Sequence, residues 1–243
     1  MNSSFDLTGK VFVVIGGSGL IGKAFCEGLA QAGGIVVNAD KKSGDENVDI
    51  ANPKSVESLA KRVAKKFGHI DGVVNVAYPR TKNYPQAFGE ASHKETLENI
   101  SLMLGGNFSV VRAFAPLMKK QKKGSIVFLG SIYGVAAPKF EIYKGTSMAN
   151  PPEYAAAKGG TIMLGKYFAS LLGPSNIRVN TISPGGVFNN QPKSFLKAYN
   201  KHAKIKPGML LPEDLAGALI FLFSDASKKV TGQNIVVDGG WTI

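Results

Sequence analysis

A doubly wound α/β domain built on a parallel sheet is what this chain predicts, on three grounds. Short runs rich in apolar and β-branched residues alternate with longer stretches of helical periodicity from end to end. Those runs are nearly continuous in apolar residues, as in strands covered by helices on both faces. Finally, 243 residues that are 44% hydrophobic and 19% charged suffice for one sizeable core. No internal repeat, low-complexity tract or linker divides them, so a single domain over residues 1–243 is expected.

The elements follow in order. "VFVVIG" (11–16) reads as the first strand, and residues 20–34 as a helix that ends in two glycines. "IVVNAD" (35–40) is the second strand and the short "NVDI" (47–50) the third. A helix over 53–67 is announced by "NPKSVES", then "DGVVNVA" (71–77) forms the fourth strand. A long helical region runs to about Lys123, and "GSIVFLGS" (124–131) follows as the fifth strand. A helix from about Glu153 to Leu172, a strand "IRVNTIS" (177–183), a helix "PEDLAGALIFLFSD" (212–225) and a closing strand "NIVVDG" (234–239) complete the pattern.

Composition narrows the function. A formal charge of +12 favours anionic partners, whether nucleic acid, a membrane surface or phosphorylated small molecules. The lysines are spread along the chain without a helix-turn-helix, zinc-finger or aromatic RNA-binding signature, so no nucleic acid partner is expected. No stretch reads as the roughly 18 uncharged apolar residues of a membrane span, and the first residues carry no apolar targeting segment. A soluble, cytoplasmic protein is expected. Cys26 is the single cysteine, and His69, His93 and His202 lie far apart, so neither a disulfide nor a metal site is expected.

Two local patterns suggest chemistry. "IGGSGLIG" stands where the first strand gives way to the first helix. Glycines there allow a tight turn and close backbone approach to a pyrophosphate, which the helix N-terminus holds through free N–H groups. Asp40 closes the second strand, where an acid accepts hydrogen bonds from adenosine ribose hydroxyls and repels a 2′-phosphate. NAD(H) is therefore favoured, with NADP(H) as the alternative, because Lys41 and Lys42 could soften the repulsion. The second pattern is "PPEYAAAKGG", which sets Tyr154 and Lys158 four residues apart, on one face of a helix.

In sequence these motifs resemble the short-chain dehydrogenase/reductase superfamily, from about Leu7 to Gly240. The resemblance implies a Rossmann fold and a nicotinamide-dependent oxidoreductase. It assigns dinucleotide contacts to Gly16, Ser18, Gly19, Leu20 and Ile21, to the adenine-side Asp49 and Ile50, and to Asn75 and Ala77 of "NVAY". Pro184, Gly185 and Val187 of "RVNTISPGGV" would reach the nicotinamide. Ser131, Tyr154 and Lys158 match the family's catalytic residues, with Tyr154 and Lys158 also holding the nicotinamide ribose. A phenol with a pKa near 10 is a poor acid or base at neutral pH, so the Lys158 cation, together with the charged nicotinamide ring, is expected to draw it down. Ser131 would donate a hydrogen bond to the substrate oxygen.

The chain departs from the family pattern at several places. Ile15 stands where the family has threonine, and the glycine spacing fits its extended branch; in the other branch residue 20 is glycine. "NVAY" lacks the second asparagine and final glycine of "NNAG". Met103 stands where an asparagine supports a proton relay, with Asn99 and Ser101 out of register. Ser131 and Tyr154 are also further apart than usual. The insertion, about 138–152, is expected to shape the substrate pocket, and a segment over about 186–210 to act as a lid.

Arg80, Tyr133, Tyr143 and Asn190 are the candidate substrate contacts. With Arg80, Lys82, Lys139, Lys144 and the i, i+4 series Lys193, Lys197 and Lys201, they suit an anionic, sugar-related substrate. One subgroup resembles the chain through the insertion as well: the flagellin-modification type of oxidoreductase, associated with surface glycan and sialic-acid-like sugar pathways. A 3-oxoacyl-[acyl-carrier-protein] reductase is the alternative enzyme, and a non-catalytic dinucleotide-binding regulator the alternative of another class. The family's habit of association implies a homodimer or homotetramer.

Overall fold

A computed structural model describes residues 4–243. Seven parallel strands form one sheet: β1 (Val11–Ile15), β2 (Ile35–Asp40), β3 (Glu46–Asn47), β4 (Gly72–Asn75), β5 (Gly124–Leu129), β6 (Ile177–Pro184) and β7 (Asn234–Val237). Their order is β3-β2-β1-β4-β5-β6-β7. The chain winds outward from β1 to β3, then returns to the far side of β1 with β4. That reversal opens a crevice at the strands' C-terminal ends, where open α/β sheets bind their ligands.

Alternate residues of the strands feed two cores, as a period of two requires. Val11, Val13 and Ile15 join Val73, Ile126, Phe128 and Val179 beneath three helices, α2 (Pro53–Phe67), α3 (His93–Gln121) and α4 (Pro152–Leu172). Phe12 and Val14 face the other way, with Val74, Val127 and Ile182, under α1 (Leu20–Gln31) and α6 (Ala216–Phe223). A third cluster lies over the sheet's C-terminal edge. It joins Ile142 of the insertion, Phe195 and Tyr199 of α5 (Lys193–His202), Met209 and the fully buried Trp241.

Local signals set the boundaries. Asn52 caps α2 by accepting from Lys54 N at 3.1 Å, Pro53 opens it, and Gly68 ends it with φ +80°. Ser92 and Glu95 form a capping box on α3. The expected third strand over 47–50 shrinks to Glu46–Asn47, because Asp49 turns the chain toward α2: its N–H donates to Ser55 Oγ and its carboxylate accepts from Ala51 N, each at 3.0 Å. β5 stops two residues early because Ser131 caps a short 3₁₀ turn, accepting from Tyr133 N. "PEDL" likewise forms a 3₁₀ turn before α6.

One expectation needs correction. α3 is long and apolar enough, by length and composition alone, to cross a membrane. Here its apolar side, with Val110, Phe114 and Met118, packs into the sheet's core, and it buries Asn99, Asn107 and Ser109 as well.

Candidate active site

The C-terminal ends of β1, β4, β5 and β6 surround one cavity of about 880 Å³. At its dinucleotide end, β1 gives way to Gly16 with φ +86°, where an added Cβ would stand 2.7 Å from Ala77 N. A Cβ on Gly22 would overlap the Gly16 carbonyl, so the first turn of α1 lies hard against the turn that precedes it. Unlike α2 and α3, α1 has no side-chain cap at its start. This leaves the N–H groups of its first turn to an anion, with the helix dipole adding to the attraction.

Asp40 ends β2 in the cavity wall, its carboxylate accepting from Lys42 N at 3.0 Å and Ser18 N at 3.3 Å. Lys41, one of the two lysines that could soften repulsion of a 2′-phosphate, turns to Asp49. Its ammonium pairs with Asp49 at 2.8 Å, and that hydrogen bond holds the Asp49 carboxyl below its ordinary value. Ile50 adds an apolar surface that Gly106 admits, since a Cβ on Gly106 would come within 2.7 Å of Ile50 Cγ1. An uncapped helix start, a glycine turn and an acid at the end of β2 fit a nicotinamide dinucleotide.

The reaction end is formed by β5 and α4. Lys158 Nζ donates to the Leu129 carbonyl at 2.7 Å, tying α4 to the end of β5. Tyr154, one turn earlier, has its ring edge-on to Tyr78 (centroids 5.7 Å) and to Tyr133 (6.5 Å). Burial raises its phenol pKa, and a hydrogen bond with Ser131 acts in the opposite sense. Burial lowers the Lys158 ammonium to about 8. In the protein alone, withdrawal from water is the larger effect on the Tyr154 phenol.

Gly16, Gly19, Leu20, Ile21, Asp40, Asp49, Ile50, Ala77, Ser131, Tyr154, Lys158, Pro184, Gly185 and Val187 all line the cavity, as do Arg80, Tyr133 and Tyr143. Three expected residues do not. Ser18 turns its hydroxyl to Ser43 O and takes a hydrogen bond from Asn38. Asn75 lies behind the wall, bonded to Asn107 and accepting from Ala77 N. Asn190 is exposed, while its neighbours Asn189 and Gln191 line the cavity.

Sequence reasoning missed Tyr78, Met148, Phe195, Tyr199 and Met209 in the lining. The i, i+4 pair Phe195 and Tyr199 opposite the lysines was a legible signal, because one face of an amphipathic helix must be covered. Tyr199 accepts from Gly186 N at 2.6 Å and stacks on Trp241, ring centroids 5.6 Å apart. Lys193, Lys197 and Lys201 are exposed and stand outside the cavity lining.

This fold and site define a nicotinamide-dependent oxidoreductase. Comparison with known proteins agrees: a family model described as enoyl-(acyl carrier protein) reductase matches residues 21–242. The post-translational flagellin modification protein A of Campylobacter coli is 41% identical, over 97% of this chain and 99% of the relative. A 3-oxoacyl-[acyl-carrier-protein] reductase of Thermotoga maritima is 31% identical, over 98% of this chain and 99% of the relative. A short-chain dehydrogenase of Leptospira borgpetersenii, solved with bound NAD+, superposes with a TM-score of 0.89 at 32% identity, over 100% of this chain and 96% of that one. The chain belongs to the short-chain dehydrogenase/reductase family, whose members use NAD or NADP.

Proposed function

We propose that this protein transfers a hydride between NAD(H) and a secondary alcohol or ketone of an anionic, sugar-related substrate, in the making of a surface glycan. The observation that carries the reading is the juxtaposition of Ser131, Tyr154 and Lys158 at the inner end of a chamber walled by tyrosines. Tyr133, Tyr143 and Tyr199 offer aromatic surface on which a sugar ring can stack. Arg80 stands at the chamber wall and, among the described residues, has no carboxylate partner, so it suits an anionic group on the substrate. The likeness to the flagellin modification protein supports the glycan assignment.

The first turn of α1 would hold the pyrophosphate, Asp40 the adenosine ribose, Asp49 and Ile50 the adenine side, and Lys158 the nicotinamide ribose. The preference for NAD(H) is supported by Asp40 and by the NAD+-bound relative structure. Bound nicotinamide supplies the hydride chemistry. The protein's own part is to orient and to move a proton. Ser131 Oγ donates a hydrogen bond to the substrate oxygen, Tyr154 Oη gives or takes the proton there, and the Lys158 ammonium favours the charge that develops on Tyr154.

The same cavity could take an acyl thioester, and the 3-oxoacyl reductase relative favours that second reading. A homodimer or homotetramer is also proposed, since Phe108 of α3 and Met163, Tyr167 and Leu171 of α4 are exposed apolar side chains. The test is a turnover screen with NADH of keto forms of nucleotide sugars and sugar phosphates beside acyl thioesters. Turnover of a sugar with none of a thioester supports the reading; the opposite outcome replaces it with the second.

A further inference from the structure

Residue 78 is one of the two places where "NVAY" departs from the family pattern, and the side chain there reaches both reacting groups. The Tyr78 ring is edge-on to Tyr154, with centroids 5.7 Å apart and planes at 79°. Lys158 Nζ lies 5.8 Å from the Tyr78 centroid and 5.6 Å from that of Tyr154, within cation–π range of both rings. Tyr78 also borders the small void behind Lys158, with Met103, Asn107 and Thr161. Its hydroxyl is committed elsewhere, donating to Tyr84 Oη at 2.6 Å.

Lys158 has an unusual electrostatic problem. An ammonium withdrawn from water needs compensation, and it carries three donors. Its one hydrogen bond is to the Leu129 carbonyl, and among the described residues no carboxylate pairs with it. Aromatic faces are the remaining source of negative potential.

We propose that Tyr78 is a positioning residue of the reaction centre, whose ring seats the Lys158 ammonium and holds the Tyr154 ring in place. Burial raises the Tyr78 phenol, so it stays neutral and does not compete with Tyr154 as an acid or base. The titratable and charged groups around this seat are Tyr154 on Lys158's own helix with its neighbours Tyr133 and Tyr143, Tyr78 and its hydrogen-bond partner Tyr84 from the segment after β4, Glu153, which acts on Tyr84, and Arg80, whose guanidinium carbon lies 5.1 Å from the Tyr78 centroid. This inference rests on the proposed roles of Tyr154 and Lys158, but its test needs no substrate.

The experiment is an NMR titration of the lysine Nζ signals of the full chain, with Lys158 assigned from its loss in Lys158→Arg. The wild type is expected to titrate near 8. Tyr78→Leu is expected to lower the midpoint by about half a unit or more, a threefold change in the proton-binding constant. Tyr78→Phe, which keeps the ring, is expected to restore it. Tyr84→Phe, which removes only the hydroxyl's partner, is expected to leave it unchanged. A Tyr78→Leu midpoint equal to wild type overturns the proposal, and so does a Tyr78→Phe midpoint as low as that of Tyr78→Leu.

Arg80 provides a further control, because removing the ring could let its charge reach Lys158. Tyr78→Leu combined with Arg80→Gln is expected to keep the low midpoint; a return to the wild-type value would assign the effect to Arg80 and refute the seat. The catalytic reading fails separately, by retained turnover in Tyr154→Phe. Should Tyr78→Leu fail to fold, Tyr78→Phe and Tyr78→Met give the same contrast between ring and no ring.

Discussion

Lys158 Nζ donates to the Leu129 carbonyl oxygen at 2.7 Å, so the cation that serves the site also fastens α4 to the end of β5. Tyr154, one turn nearer the helix start, is thereby placed beside Ser131, which the chain delivers two residues past Leu129. That hydrogen bond adds to the close packing of α4 on the turn after β5, where Gly134 lies against the Lys158 backbone.

A pH dependence follows. Burial lowers Lys158 to about 8, so its ammonium is intact at pH 7 and is lost as pH rises through that value. Reduction, in which Tyr154 gives its proton, should slow above about pH 8. Lys158→Arg keeps its charge at every accessible pH and should lose this alkaline limb, at a lower plateau rate. Rates measured from pH 6 to 10 check both.

Tyr154→Phe deletes only the hydroxyl and leaves the ring contacts with Tyr78 and Tyr133. Turnover should fall by roughly 10²–10⁴-fold, as for loss of a positioned acid or base. NADH affinity and thermal unfolding should be nearly unchanged. Steady-state kinetics beside a binding titration separate the two effects.

Asp40→Ala should weaken NADH by about tenfold or more, the cost of losing hydrogen bonds to a charged acceptor. NADPH should be affected less, because the repulsion of a 2′-phosphate goes with the carboxylate. Binding constants for both nucleotides decide it.

Gly22→Ala forces a methyl group onto the Gly16 carbonyl. A loss of about 1–3 kcal/mol in stability is expected from such overpacking, together with loss of dinucleotide binding. Thermal unfolding and an NADH titration read the two.

Arg80→Ala should raise the Michaelis constant for an anionic sugar substrate and leave kcat largely intact. Neutralising Lys193, Lys197 and Lys201 together should change neither, because these side chains are exposed outside the cavity.

Most of the fold was legible because its signals are local. Apolar runs marked six of the strands closely, and α2 carries its own start and stop in Asn52, Pro53 and Gly68. β3 was overestimated because the pattern of "NVDI" does not show that Ser55 and Ala51 bend Asp49 into a turn. The floor of the site was legible too, since Tyr154 and Lys158 share a helix face. Its walls were legible in part: Arg80, Tyr133 and Tyr143 were expected, whereas Tyr78, Phe195 and Tyr199 come to one cavity only after the β4 loop, α5 and the segment of Trp241 fold over one strand edge. Ser18 and Asn75 belong to the glycine turn and to β4 but turn into the structure, a matter of side-chain direction that a motif does not carry.

The central claim is an NAD(H) site under β1 and α1 that opens toward Tyr154. Trp241, the chain's only tryptophan, is buried against Tyr199 at the other end of that cavity and supplies the signal. Energy transfer from Trp241 to reduced nicotinamide, measured while titrating NADH and then NADPH, tests the claim most directly. Saturable transfer at lower NADH than NADPH concentration is the predicted result; tighter NADPH binding, or saturation by neither nucleotide, would contradict it.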